Sequence, residues 1–320
     1  MKKYNISNYL ASLNEVEFIG QKETSIENII SINNIYDNPA ETKKALTWVG
    51  DSYLSAVTEN IEIACIILTK KGYERLKYLK SNFIITDNPR RVFQKILSIF
   101  YALEYSSKVE KSAFVYQSSK IGKNAYIGHN VVIEEECEIG DNVTILHNTV
   151  IYRDTKIGNN VVIGSNCTIG NYGFGYEKDE DGQYKRLEHL GNVVIGNNVE
   201  IHNNTCIDRA VLGSTILRDN VKVDNQVHIA HSVDIHENAL VIANAVVAGS
   251  TVVGKNSWIG PTVTLKDKLT IAENTLVGIG TVVTKNTEPN TIMVGNPALK
   301  IEDFKKILRH QKSIIQNEDQ

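Results

Sequence analysis

The sequence is poor in the features that mark several other kinds of protein. Its four cysteines, Cys65, Cys137, Cys167 and Cys206, form no CxxC pair and lack the dense spacing of a secreted scaffold, which predicts reduced thiols and a cytoplasmic protein. No apolar run approaches the roughly 20 residues needed to cross a bilayer, so no membrane span is expected. Lys2 and Lys3 are followed by Asn5, Ser7, Asn8 and Asn14, which leaves no unbroken apolar stretch resembling a signal peptide. A net charge of −3 offers no basic excess for neutralising phosphates and argues against nucleic acid as a partner. At 320 residues the chain is longer than single cores usually grow, which predicts two domains.

What the chain does have is a period of six. Val115, Ile121 and every sixth residue to Ile169 are aliphatic; the count resumes at Ile195, Ile201 and Ile207, and again at Leu217 and every sixth residue to Val283. Neither an α-helix nor a free strand repeats at six. The position after the aliphatic is often Gly and the fourth position often Asn or Asp, as in Ile121-Gly-Lys-Asn124 and Ile139-Gly-Asp-Asn142. These types tolerate the left-handed backbone of a tight corner. A chain that turns a corner every six residues and buries one aliphatic each time predicts a triangular parallel β-helix with three hexads per coil. The count breaks twice. Gly173 to Leu190 is charged and leaves the coil, and Gly213 to Ile216 predicts a small bulge.

Residues 1 to 106 lack the period and predict a small α/β domain. Ala64–Leu68 and Phe83–Ile85 look like buried strands around a helix within 70–80. Asn88 before Pro89 reads as a helix N-cap, followed by an apolar face of Val92, Phe93, Ile96, Leu97, Ile99, Phe100 and Leu103. The expected class is mainly β with a small α/β domain: 1–106 α/β, 107–290 β-helix and 291–320 a tail with a short helix.

The hexads, with these interruptions, resemble the hexapeptide-repeat acyltransferases, whose coils are left-handed. Within that superfamily, Gly173-Phe-Gly-Tyr176, Val199-Glu-Ile201, Thr205-Cys-Ile-Asp-Arg209 and Val223-Asp-Asn-Gln-Val-His-Ile-Ala-His231 are similar to the UDP-3-O-acylglucosamine N-acyltransferases of lipid A synthesis, as are Ala45–Trp48 and Thr86–Pro89. The resemblance implies an acceptor-binding amino-terminal domain, a homotrimer with active sites between subunits, and acyl transfer from a coenzyme A or acyl carrier protein thioester to a nucleotide-linked amino sugar. Lys268 stands where the family places a second histidine, and Val294-Gly-Asn-Pro-Ala298 looks like the closing motif of sugar acetyltransferases that use coenzyme A. These departures favour a cousin acting on another nucleotide-linked amino sugar and leave the lipid A enzyme open.

His231 matches the family's catalytic histidine and Asp224 the carboxylate that orients it. Trp48, Tyr53, Phe174, Tyr176, Arg209 and His228 are the expected acceptor-binding residues, and Gly249 and Lys268 the thioester-binding ones. No permanently bound cofactor and no metal is assigned. The register adds that His231 stacks between Arg209 and Gly249, so that Gly249 leaves room for a pantetheine arm and Arg209 meets a phosphate or carboxylate. Two other classes compete. β-Helical trimers can hold zinc between subunits through histidines, and His202, His231 and His236 would supply the three imidazoles of a carbonic-anhydrase-like site. A bare β-helix could also be a non-catalytic spacer.

Overall fold

The computed structural model describes residues 3–57 and 61–295, together with 301, 305–307 and 309 in the C-terminal segment. It divides into two compact units, residues 1–104 and 105–320. The amino-terminal unit is built on a five-stranded sheet in the spatial order Glu17–Ile19, Asn82–Ile85, Cys65–Leu68, Ala45–Trp48, Asn28–Ile29. Only its first pairing is antiparallel. Both sheet faces are covered, which is why the strands read as unbroken apolar runs. Ile66, Leu68, Phe83 and Ile85 pack with Leu76 of the helix Lys70–Leu76. On the opposite face Cys65, Ile67 and Ile84 pack with Val92 and Ile96 of the helix Pro89–Phe100. Asn88 caps that helix by accepting from the Arg91 amide, as the Asn-Pro pair predicts.

The second unit is a left-handed parallel β-helix of short strands, most of them two residues long, gathered into three flat faces of ten, nine and eight strands among the described residues. Each hexad aliphatic sits directly over the one three hexads away: Ile121, Ile139, Ile157, Ile195, Leu217, Ile235, Val253 and Ile271 form one such column. All three columns are buried in one continuous core. Burying one such side chain contributes roughly 1.5–3 kcal/mol, and the repeated columns make the prism self-supporting. Along the ten-stranded face the residue two places before the aliphatic is also buried and small, as in Val143, Val161, Val199, Val221, Ala239, Ser257 and Thr275. Cys137 and Cys167 occupy this position on other faces, and all four cysteines are free.

The helix begins one hexad earlier than the aliphatic count suggests, because Lys108–Val109 already pairs with Tyr126–Ile127. The charged interruption leaves the prism as a hairpin, Tyr176–Lys178 against Tyr184–Arg186. The second interruption widens a corner, after which Ser214–Leu217 rejoins the eight-stranded face beside Asn192–Ile195. Both interruptions lie at the corner that passes from the nine-stranded to the eight-stranded face. Residues 301, 305–307 and 309 are helical. Asn296, Pro297 and Ala298 of the expected closing motif lie outside the described residues. Among the described residues no helix is long and apolar enough to cross a membrane.

Candidate active site

His231 lies at the same corner as the two interruptions, just after the strand His228–Ile229. The imidazole is held between two glycines. A Cβ on Gly249, one coil on, would stand 2.7 Å from both Cε1 and Nε2 of the ring, and a Cβ on Gly173 would stand 3.0 Å from the His231 Cβ. Gly249 therefore makes room for the imidazole itself, a need that the arithmetic of stacking could not show because it does not say how far the ring leans over the next coil. Burial, with a smaller contribution from His189, lowers the His231 pKa below the usual histidine value. The ring is thus neutral, a base, at neutral pH.

A cavity of about 720 Å³ opens beside it, lined among others by Phe174, Tyr176, Asp208, His228, His231, Gly249 and Lys268. The Phe174 and Tyr176 rings are 4.9 Å apart at one wall, and Phe174 is 87 % exposed. Such uncommitted aromatic surface can cover a sugar, a base or an acyl chain. Of the expected site residues the structure gathers His231, His228, Phe174, Tyr176, Gly249 and Lys268 around one cavity.

Arg209 does not join them. It is 2 % exposed, its Nε donates to the Gly170 carbonyl at 2.6 Å and an Nη donates to the Arg153 carbonyl at 2.7 Å. Tyr172 lies under its guanidinium at 5.9 Å. Its charge is spent on these two backbone carbonyls, so it holds the corner together rather than meeting a substrate anion. Asp224 is likewise elsewhere in the chain. It follows a strand of the ten-stranded face, one corner away, where its carboxylate accepts from the Asn225 and Ala243 amides and lies 3.6 Å from His202. The seven-residue spacing to His231 crosses a corner, and a corner turns the two side chains onto different edges of the prism. The orienting contact expected between them is not made within one chain.

The three histidines of the zinc alternative occupy three different corners: His202 beside Asp224, His231 at the cavity, and His236 beside Asp234. One chain cannot bring them to a common centre. In the amino-terminal unit Trp48 is half-buried against Phe93, with centroids 6.4 Å apart, and belongs to the packing on one side of the sheet. Tyr53 is 53 % exposed.

Two residues near His231 escaped the sequence reading, one lining the cavity and one buried behind the ring. Asp208 stood inside a quoted motif but was given no role; it lines the cavity, and burial pushes its carboxyl up to about 7. His228, 3.8 Å from it, is lowered by burial, so both groups are driven towards neutrality and the contact is not an ion pair. His189 comes from the aperiodic excursion, where no register could place it. It is fully buried with its ring 5.7 Å from that of His231.

The fold that carries this cleft, a prism of stacked hexads, is that of the hexapeptide-repeat proteins, and the comparisons give its class. The bacterial transferase hexapeptide family model, of six repeats, matches residues 118–153 and 136–171. The UDP-N-acetylglucosamine acyltransferase of Bacteroides fragilis superposes with a TM-score of 0.52 at 26 % identity, over 58 % of this chain and 70 % of that one. The Campylobacter jejuni protein of the same name gives 0.54 at 20 % identity, over 64 % and 83 %. Among curated relatives, the UDP-3-O-acylglucosamine N-acyltransferase 2 of Legionella pneumophila is 41 % identical over 287 residues, 83 % of this chain and 82 % of the relative. That of Campylobacter lari is 36 % identical over 261 residues, 78 % and 81 % of the two chains. That of Cytophaga hutchinsonii is 44 % identical over 202 residues, 57 % of this chain and 58 % of its own length. The chain belongs to the UDP-3-O-acylglucosamine N-acyltransferase family, and it is an N-acyltransferase.

Proposed function

We propose that this enzyme transfers an acyl group from a coenzyme A or acyl carrier protein thioester to the amine of UDP-3-O-acylglucosamine in lipid A biosynthesis. It works in the cytoplasm as a homotrimer, with His231 as general base. The observation that carries the reading is the neutral His231 imidazole set between Gly173 and Gly249 at the mouth of the cavity. The amine nitrogen attacks the thioester carbonyl carbon, and Nε2 of His231 takes the proton that the nitrogen must lose. Collapse of the tetrahedral intermediate breaks the C–S bond, and the proton passes to the departing sulfur. A thioester is already activated, so the protein has to align the partners, move this proton and meet the transient negative charge on oxygen.

Lys268 at the cavity rim supplies a cation for the oxyanion or for the phosphates of the donor. Phe174 and Tyr176 cover the acceptor, and Asp208 and His228, whose charged forms burial disfavours, offer hydrogen bonds to sugar hydroxyls. Tyr53, exposed in the amino-terminal unit, is the ring available to stack on the uracil. The flat faces of the prism suit a trimer packed along the coils, and Asp224 could act on a neighbour's site only in such an assembly.

The test is thiol release from short- and long-chain acyl thioesters, on coenzyme A and on acyl carrier protein, with UDP- and dTDP-linked amino sugars as acceptors. Release that depends on UDP-3-O-acylglucosamine is expected. Faster release with another nucleotide sugar would reassign the acceptor, and no release with any amino sugar would overturn the function. Light scattering at micromolar concentration should give the mass of three chains; a monomer mass would remove the trimer.

A further inference from the structure

Three buried side-chain polar atoms lack a hydrogen-bond partner among the described residues, and two of them are neighbours: Nε2 of His189 and Nδ1 of His231. Unpaired buried polar atoms are rare, and two beside one another call for a common explanation. Their valences are complementary. Nδ1 of His189 lies 2.8 Å from the Leu187 carbonyl oxygen, which can only accept, so Nδ1 carries the hydrogen and the neutral ring presents a lone pair on Nε2. His231 needs the same tautomer, a hydrogen on Nδ1 and the lone pair on Nε2, if Nε2 is to take a proton at the cavity, so the atom it leaves unpaired is a donor while that of His189 is an acceptor. No direct hydrogen bond joins the rings, and their centroids are 5.7 Å apart at 75°, a spacing one water can bridge. Gly173 closes over both: a Cβ there would stand 2.9 Å from His189 Nε2 and 3.0 Å from the His231 Cβ. Asp208, His228, Asp267 and Lys268 line the cavity, and none of them bonds Nδ1 of His231.

We propose that His189 is a positioning residue for His231: one buried water accepts from the His231 Nδ1–H and donates to His189 Nε2, holding the general base with its Nε2 lone pair towards the cavity. His189 thereby does the work expected of Asp224, with an imidazole in place of a carboxylate. The inference rests on His231 as the base, and the readouts separate the two claims.

Histidine-selective ¹⁵N NMR of the whole enzyme, with the signals assigned through His231→Ala and His189→Gln, should show a protonated Nδ1 and a bare Nε2 on both rings. A wild-type spectrum with the hydrogen on Nε2 of His231 would overturn the proposal whatever the activity. His189→Met, which has no comparable acceptor, should lower kcat roughly 10–100-fold, leave the KM values of both substrates within about two-fold, and mix the His231 tautomers. His189→Gln, whose amide can both accept and donate, should restore kcat to within about three-fold of wild type. Unchanged kcat and an unchanged tautomer in His189→Met would also overturn it. Should His189→Met fail to fold, the wild-type spectrum and His189→Gln decide the matter alone. If His231→Ala keeps its turnover while the spectrum is as expected, the base assignment fails and the contact stands.

Discussion

Two corners of one prism are built from the same hexad and put to different use. Between the eight- and ten-stranded faces, Asn124, Asn142, Asn160, Asn198, Asn220, Asn238, Asn256, Asn274 and Asn290 all hold a left-handed backbone. Their side-chain amides run as a ladder, for example 2.7 Å from Asn220 to Asn238 and 3.1 Å from Asn238 to Asn256. Between the nine- and eight-stranded faces the equivalent left-handed positions hold Glu136, Asp154, Ser232, Ser250 and Lys268. There the ladder is absent, both interruptions leave the coil, and the cavity opens. The difference teaches that the stacked aliphatic core holds the fold firmly enough for one corner to give up its regular bonding. The irregularity is confined to where the chemistry is.

Four changes test that contrast. The largest effect falls on the irregular corner: His231→Ala should lower kcat about 10²–10⁴-fold, or roughly 3–5 kcal/mol of barrier, with little change in Tm. Turnover above about a third of wild type in a thiol-release assay would sink the base assignment. Gly249→Ala places a methyl against the far end of a movable ring, so it should fold normally while pushing the imidazole aside. The expected loss in kcat is about 100-fold, and an unchanged kcat would show that the ring does not need its place over the next coil.

Asp208→Asn is read by stability against pH. Because burial raises the carboxyl to about 7, the folded chain binds the proton more tightly than the unfolded one. Wild-type stability therefore falls as pH rises from about 4 through 7. The variant escapes this and should exceed wild type by about 2 kcal/mol at pH 8 and by nothing at pH 4; equal urea midpoints at pH 8 would place the ionised carboxylate in a solvated setting. The smallest effect is expected at the regular corner. Asn238→Ala removes two ladder bonds and leaves Ala at φ 60, costing about 1–2 kcal/mol of stability while kcat stays at the wild-type value. A loss of activity there would mean that the two corners are coupled.

The six-residue count by itself determined the prism, its three aliphatic columns and the stacking of His231 between Arg209 and Gly249, because a strict period leaves one inward direction per hexad and no freedom of register. Four motifs in the β-helix and two segments in the amino-terminal unit marked the family, and the Asn88-Pro89 pair placed a helix start. Side-chain direction at the corners was not legible. Arg209 and Gly249 are correctly stacked on His231, yet one turns inward to bind carbonyls and the other serves the imidazole itself. Asp224 is near His231 in number but sits on another edge of the triangle. His189 was beyond reach altogether, since the excursion carries no period and its return onto His231 depends on how the hairpin and Gly173 pack against the corner. A repeat fixes backbone position through local geometry and burial, whereas which side chains meet across an aperiodic loop is decided only when the tertiary structure closes.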